Sequence, residues 1–177
     1  MLRRHLFASS PIILLPFLCS AAAPPPAPGL DITAAFTPTG DLSVTFHNTG
    51  AAPCTFHPGI SLGNGQALWP MCLSLVVTPK GGAARELTYK GGAIGGRVDD
   101  WLVPLPPGAS YTLRLAPADF IYKPDGVPAT PPQPALPGES LQVRFTSIPA
   151  AYTKPPPANL WTAQLTSAAM SAPAAKP

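Results

Sequence analysis

The distribution of proline constrains the fold of this chain more than any other feature of its sequence. The 177 residues include 27 prolines, and many of them fall in clusters between apolar runs, as at 24–28, 131–134 and 155–157. Proline lacks a backbone N–H and breaks helix interiors and central strands, so such clusters mark connections between short elements. No long amphipathic helical pattern follows residue 22. The chain is therefore predicted to form short strands joined by rigid loops.

The apolar runs between the prolines alternate with period two, which is typical of strands with one buried face. Four runs show it clearly, at 32–36, 42–46, 111–115 and 141–145. Further strands are expected at 54–56, 72–78, 85–89, 101–105 and 160–166, a helical turn at 117–120, and long loops at 57–71 and 123–138. Roughly seven to nine short strands with turn residues between them predict an all-β fold, an antiparallel immunoglobulin-like sandwich.

The first 22 residues have the features of a cleavable export signal. Arg3 and Arg4 precede an apolar stretch at 6–18, and small residues follow at 20–23. The stretch is too short for a stable membrane span of roughly 20 residues. Cys19 offers a lipid anchor as an alternative, but the bulky Leu18 before it disfavours that modification. We expect a periplasmic or secreted protein with a spacer at 23–29, one domain at 30–167 and a flexible tail at 168–177.

The chain carries few charges, and they are scattered. Charged residues make up 11% of the sequence, against roughly 25% in an average globular domain. No basic stripe exists that would neutralise a row of phosphates. Nucleic acid is therefore not an expected partner.

Two cysteines, Cys54 and Cys72, remain once the export signal is removed. Cysteines in exported domains most often pair, so a disulfide between them is expected. The alternative is a copper site that uses His57, Met71 and the thiols, because imidazole, thioether and thiolate ligands suit copper. The spacing of these residues matches no copper motif, so the disulfide is preferred and no cofactor is expected.

No catalytic motif stands out in the sequence. A Gly-x-Ser-x-Gly nucleophile turn is absent, and the adjacent Asp99 and Asp100 would point to opposite faces of a strand. The chain is therefore predicted not to be an enzyme. Trp69 and Tyr122 are the candidates for contacts with a partner, since aromatic side chains on loops often serve that purpose. Trp101 and Trp161 adjoin apolar strands and are expected in the core.

Several segments, in their order, resemble a known domain. TFHNTG, LTYKGGAIGGR, WLVPLPPGASYTLRL and GESLQVRFTS are similar to the small β-sandwich region that precedes the catalytic domain of secreted deuterolysin-type metalloendopeptidases. The resemblance spans roughly residues 30–147, and the His-Glu-x-x-His zinc motif of those enzymes has no counterpart here. It implies a stand-alone accessory or inhibitor-like sandwich. We therefore expect an exported, non-enzymatic module that binds a protein partner such as a protease, with a periplasmic copper-binding protein as the alternative.

Overall fold

The computed structural model describes residues 29–63, 65, 67–90, 96–122 and 139–172. Within these residues, twelve strands form three sheets, and a 3-10 turn, Pro117–Asp119, is the one helical element. The strands are β1 (Leu30–Phe36), β2 (Leu42–Asn48), β3 (Cys54–Leu62), β4 (Ala67–Trp69), β5 (Leu73–Thr78), β6 (Arg85–Tyr89), β7 (Val98–Leu105), β8 (Ser110–Leu115), β9 (Phe120–Tyr122), β10 (Ser140–Thr146), β11 (Gln164–Thr166) and β12 (Met170–Ser171). The all-β class is confirmed, and eight of these strands have five residues or more.

The strands pair antiparallel in every sheet. One sheet has the order β1-β2-β8, a second has the order β4-β3-β7, and the third has the order β11-β10-β5-β6-β9 with β12 beside β10. The β1–β2 hairpin closes at Gly40, whose φ of 89° lies in the left-handed region that favours glycine. The predicted alternation places Leu42, Val44 and Phe46 of β2 in the core, and the polar residues between them are half-buried.

Aromatic side chains from different sheets meet in one continuous core. Phe46 of β2 stacks on Phe56 of β3 with ring centroids 4.4 Å apart, and Phe145 of β10 meets Phe46 edge-on at 5.0 Å. Trp161 stacks on Phe145, and Trp101 is also buried, as predicted for both tryptophans. All three sheets therefore enclose a single core, which is consistent with a β-sandwich.

Much of the predicted loop at 57–71 is in fact a β-hairpin. β3 continues to Leu62, and β4 pairs back onto its last three residues. The glycines of this stretch and Pro70 indicated a loop, but β3 continues through Pro58 because its register against β7 shifts between Phe56 and Gly59. This β-bulge accommodates the proline, because a bulged residue is not needed for the hydrogen-bond ladder.

The end of the described chain is also more ordered than expected. The tail was predicted to be flexible from residue 168, yet β12 pairs with the start of β10 and Ala172 is buried. The predicted last strand is shorter than expected, because only Gln164–Thr166 extends β10. The predicted export signal, nearly all of the spacer and the predicted loop at 123–138 lie outside the described residues. No helix in the described ranges is long and apolar enough to cross a membrane.

Candidate functional site

One long segment, residues 147–161, crosses over the β4-β3-β7 sheet and is tied to β3. Thr55 donates its N–H to the carbonyl of Asn159 at 3.0 Å and accepts the N–H of Trp161 at 2.7 Å. Ser147 closes the segment on itself, because its hydroxyl donates to the Trp161 carbonyl at 2.8 Å. Backbone and side-chain hydrogen bonds therefore fix both ends of this crossing segment.

A single buried carboxylate fixes the middle of the crossing segment. The Asp100 oxygens accept the N–H groups of Ala151, Tyr152 and Thr153 at 3.0, 2.9 and 2.6 Å. The Asp100 side chain is fully shielded from solvent, whereas that of Asp99 is 32% exposed and pairs with Arg97 at 2.9 Å. The two adjacent carboxylates thus have separate surroundings, and only Asp100 holds the loop.

The hydrogen bonds to Asp100 also control its protonation. Burial by itself raises the pKa of the carboxyl, because it penalises the charged form. The N–H groups of Ala151, Thr153 and Tyr152 outweigh that effect and hold the pKa of Asp100 below its ordinary value. The side chain is therefore an ionised hydrogen-bond acceptor at neutral pH.

His57 of β3 lies against Asp100 beneath the crossing segment. Its side chain is only 1% exposed, and its Nε2 lies 3.6 Å from Asp100 Oδ1. Its Nδ1 is 3.2 Å from the carbonyl oxygen of Ile148. The pair therefore contacts the loop 148–153 at both ends, through Ile148 and through residues 151–153.

His57 and Met71, the residues proposed for a copper site, have different surroundings. Both ring nitrogens of His57 face protein oxygen atoms, and Met71 is 53% exposed. In the part of the chain that the structure describes, no group of three or more His, Cys, Asp and Glu side chains is arranged to hold a metal ion.

The predicted disulfide between Cys54 and Cys72 is absent from the structure, which has both as free, buried thiols. The N–H of Cys72 bonds to the carbonyl of Pro58, four residues along β3 from Cys54. Burial raises the pKa of Cys72 to about 11 and also raises that of Cys54. Pairing of the two after export stays a prediction.

Two of the exposed apolar side chains stand on the loop that the His57–Asp100 pair contacts. Among the described residues, five large apolar side chains are exposed: Leu68, Met71, Tyr122, Ile148 and Tyr152. Ile148 and Tyr152 belong to the loop that the pair holds. Met71 adjoins Gly59 of β3, where an added Cβ would lie 2.7 Å from the Met71 nitrogen.

Trp69 completes this group, and Tyr122 does not belong to it. Trp69 is half-buried and lies opposite Ile60, whose partner on the other side is Asp100. Directly paired residues share a face of a sheet, so Trp69 lies on the face that the loop covers. We call Trp69, Met71, Ile148 and Tyr152 the apolar rim. Tyr122, the other predicted contact residue, is on β9 of a different sheet.

The remaining histidine in the described residues, His47, lies in a row of three polar residues across the β1-β2-β8 sheet. Asp31 and Ser110 are its direct partners on the neighbouring strands, and its Nδ1 is 2.9 Å from the Ser110 hydroxyl. Asp31 Oδ1 instead accepts the N–H of Ile32 at 2.8 Å. Asp31, His47 and Ser110 are the residue types of a hydrolase triad, but the Asp31 carboxylate does not make the contact with His47 that would orient the ring.

Comparison with known protein families, with curated proteins and with solved structures finds no match to this chain. The fold and the site together define an all-β protein with a buried histidine–carboxylate pair beneath an apolar loop. Sequence analysis named His57 and Asp100 separately and missed their contact. The signal was present, since Asp99 and Asp100 are two acidic residues inside the otherwise apolar stretch 98–105.

Proposed function

We propose that this chain is an exported interaction module that binds a protein partner through the apolar rim. One observation carries the proposal: exposed apolar side chains stand on a loop whose backbone is held by the buried Asp100 carboxylate. Aromatic residues and methionine are enriched in protein interfaces. A backbone ordered before binding loses less entropy on association, so these side chains are well placed as anchors.

The chemistry of the loop indicates what kind of surface it would contact. Residues 147–153 contain no charged side chain, so attraction between charges contributes little to recognition. Tyr152 is 56% exposed, more than any other large apolar residue that the structure describes, and would be the central anchor. The partner would offer an uncharged apolar patch or pocket.

Export and the identity of the partner belong to the same proposal. Residues 1–22 would be removed on export, and the mature protein would act in the periplasm or the medium. The resemblance to the accessory region of deuterolysin-type endopeptidases makes a protease the first partner to test. The proposal includes an immunoglobulin-like arrangement of the sandwich, with contacts made by a loop on a rigid scaffold. It includes no catalytic step by this chain.

Affinity capture with rim variants tests the proposal. The full chain, produced with its own export signal and a C-terminal tag, serves as bait in envelope extract and culture medium. A partner retained by the wild type and by Tyr122→Ala, but lost with Met71→Ala/Tyr152→Ala, would support the rim as the contact surface. Tyr122 is a matched control because it is an exposed aromatic on another sheet.

Two results would contradict the proposal. One is equal capture by the wild type and the Met71→Ala/Tyr152→Ala variant, which would place the contact elsewhere. The other is the absence of any captured protein under native and cross-linked conditions. Where a protease is captured, its activity is then assayed with and without the bait to separate an inhibitor from an accessory subunit.

A further inference from the structure

We propose that His57 is a doubly protonated imidazolium that latches the loop 148–153 to the sheet, and that loss of this proton releases the loop. The latch makes the order of the loop depend on pH. Its consequence for partner binding rests on the proposed function, because the loop carries two residues of the apolar rim. The latch itself is a property of the free protein.

The proposal rests on the groups that face the two ring nitrogens of His57. A neutral imidazole has one N–H and one acceptor nitrogen, whereas an imidazolium has two N–H donors. Nδ1 of His57 faces the Ile148 carbonyl at 3.2 Å, and Nε2 faces Asp100 Oδ1 at 3.6 Å. Both oxygens only accept hydrogen bonds when Asp100 is ionised. A neutral ring would therefore point a lone pair at one of them.

Burial makes that mismatch costly. His57 is 1% exposed, and its Nε2 is buried with no hydrogen-bond partner within bonding distance. A buried polar atom without a partner loses its hydration and gains nothing in return. A proton on Nε2 turns the contact with Asp100 into an ion pair, so that the ring N–H gains an acceptor and the carboxylate gains a donor.

Among the described residues that pack around the His57 ring, Asp100 is the charged one. From β7 the neighbour is Asp100 itself, and on β3 the other titratable residue is Cys54. From the segment before β5 it is Cys72, whose thiol contacts the Ile148 backbone. Burial raises the pKa of both thiols, so neither carries charge near neutral pH. In the crossing segment, Tyr152 and Lys154 are exposed to solvent.

The two ends of the loop depend on opposite charges. The ring holds Ile148, and the carboxylate holds residues 151–153. Raising the pH removes the ring proton and leaves one buried contact unfavourable, because histidine exchanges its proton nearest to neutral pH of all side chains. Lowering the pH far enough protonates Asp100 and removes the acceptors. The loop is therefore most firmly held between these two limits.

The test measures the ring and the loop in the free protein. Nitrogen-15 NMR of the full-length chain reports whether His57 is an imidazolium or a neutral tautomer across about pH 5–9. Hydrogen exchange reports the protection factors of the 151–153 amides, corrected for intrinsic exchange, over the same range. We expect an imidazolium at the acidic end and a fall of about tenfold in protection as it loses its proton.

Two glutamine variants complete the test. His57→Gln should abolish the pH step in protection, and His47→Gln, which removes the partly buried histidine of another sheet, should leave it unchanged. A neutral His57 tautomer throughout, or a pH step that persists in His57→Gln, would overturn the latch. The ring spectrum of the wild type decides the question even where a variant fails to fold. If these measurements show the latch but partner capture does not depend on the apolar rim, the proposed function is overturned and the latch is not.

Discussion

Thr153 donates its N–H to the Asp100 carboxylate at 2.6 Å across a separation of 53 residues in the chain. Two neighbouring N–H groups, from Ala151 and Tyr152, converge on the same carboxylate. One acidic side chain on β7 thus replaces the water that an exposed loop would otherwise bind. Four predictions follow from this arrangement and from the packing around it.

Replacing Asp100 with asparagine should destabilise the protein by about 3 kcal/mol. The amide has one acceptor oxygen for three N–H groups, and the substitution removes the carboxylate that lies against His57. Chemical denaturation measures the change in free energy of unfolding. Asp99→Asn is the matched control and should cost less than about 1 kcal/mol, because its ion pair with Arg97 is exposed. Equal losses in the two variants would show that Asp100 has no special structural role.

Acid should weaken the fold through Asp100. Its hydrogen bonds hold the pKa of this carboxyl below its ordinary value in the folded state. The stabilisation is therefore fully present above the pKa of the unfolded chain, about 4, and is lost as the pH falls through the folded pKa. Denaturation midpoints measured from neutral pH downward should show this loss. The denaturation midpoint should fall less steeply with decreasing pH in Asp100→Asn than in the wild type. An unchanged pH dependence would assign the acid sensitivity to other carboxyls.

Gly59→Ala should displace β4 from β3. An added Cβ would lie 1.8 Å from the Trp69 carbonyl oxygen and 2.7 Å from the Met71 nitrogen, both of them backbone atoms. Such overpacking costs about 3 kcal/mol or more, because a strand must move to relieve it. Gly40→Ala is the comparison, since its Cβ meets open space and only its positive φ of 89° is strained. A smaller loss of stability in Gly59→Ala than in Gly40→Ala would contradict this packing.

Cys54 and Cys72 should react with a thiol reagent only after unfolding. Burial raises the pKa of Cys72 to about 11, so about one thiol in a thousand would be ionised at pH 8. We expect alkylation in native buffer to be at least about a hundredfold slower than in denaturant. In the protein without residues 1–22, Cys72→Ser should leave Cys54 as the one reactive thiol. Absence of any reaction even in denaturant would show that the exported protein forms the predicted disulfide and lacks these free thiols.

The period of the side chains determined most of the strands. Leu42, Val44 and Phe46 alternate with polar residues. In an extended strand this period of two places all three apolar side chains on one face, which is then buried. The same holds for β8 and β10. The turn at Gly40 could be predicted as well, because its chemistry is local. The loop predicted from residue 57 onward was wrong, because β3 bulges before Gly59 and then continues to Leu62.

The sequence by itself determined the all-β class, the main strands and the burial of Trp101 and Trp161, because each depends on neighbours close in the chain. Only the tertiary structure decided that His57 and Asp100 meet. Their contact requires the register of β3 against β7, including the bulge, and the return of the crossing segment over both strands. No local pattern encodes a register between distant strands, since packing of the whole core selects it. The candidate site is therefore a product of the fold.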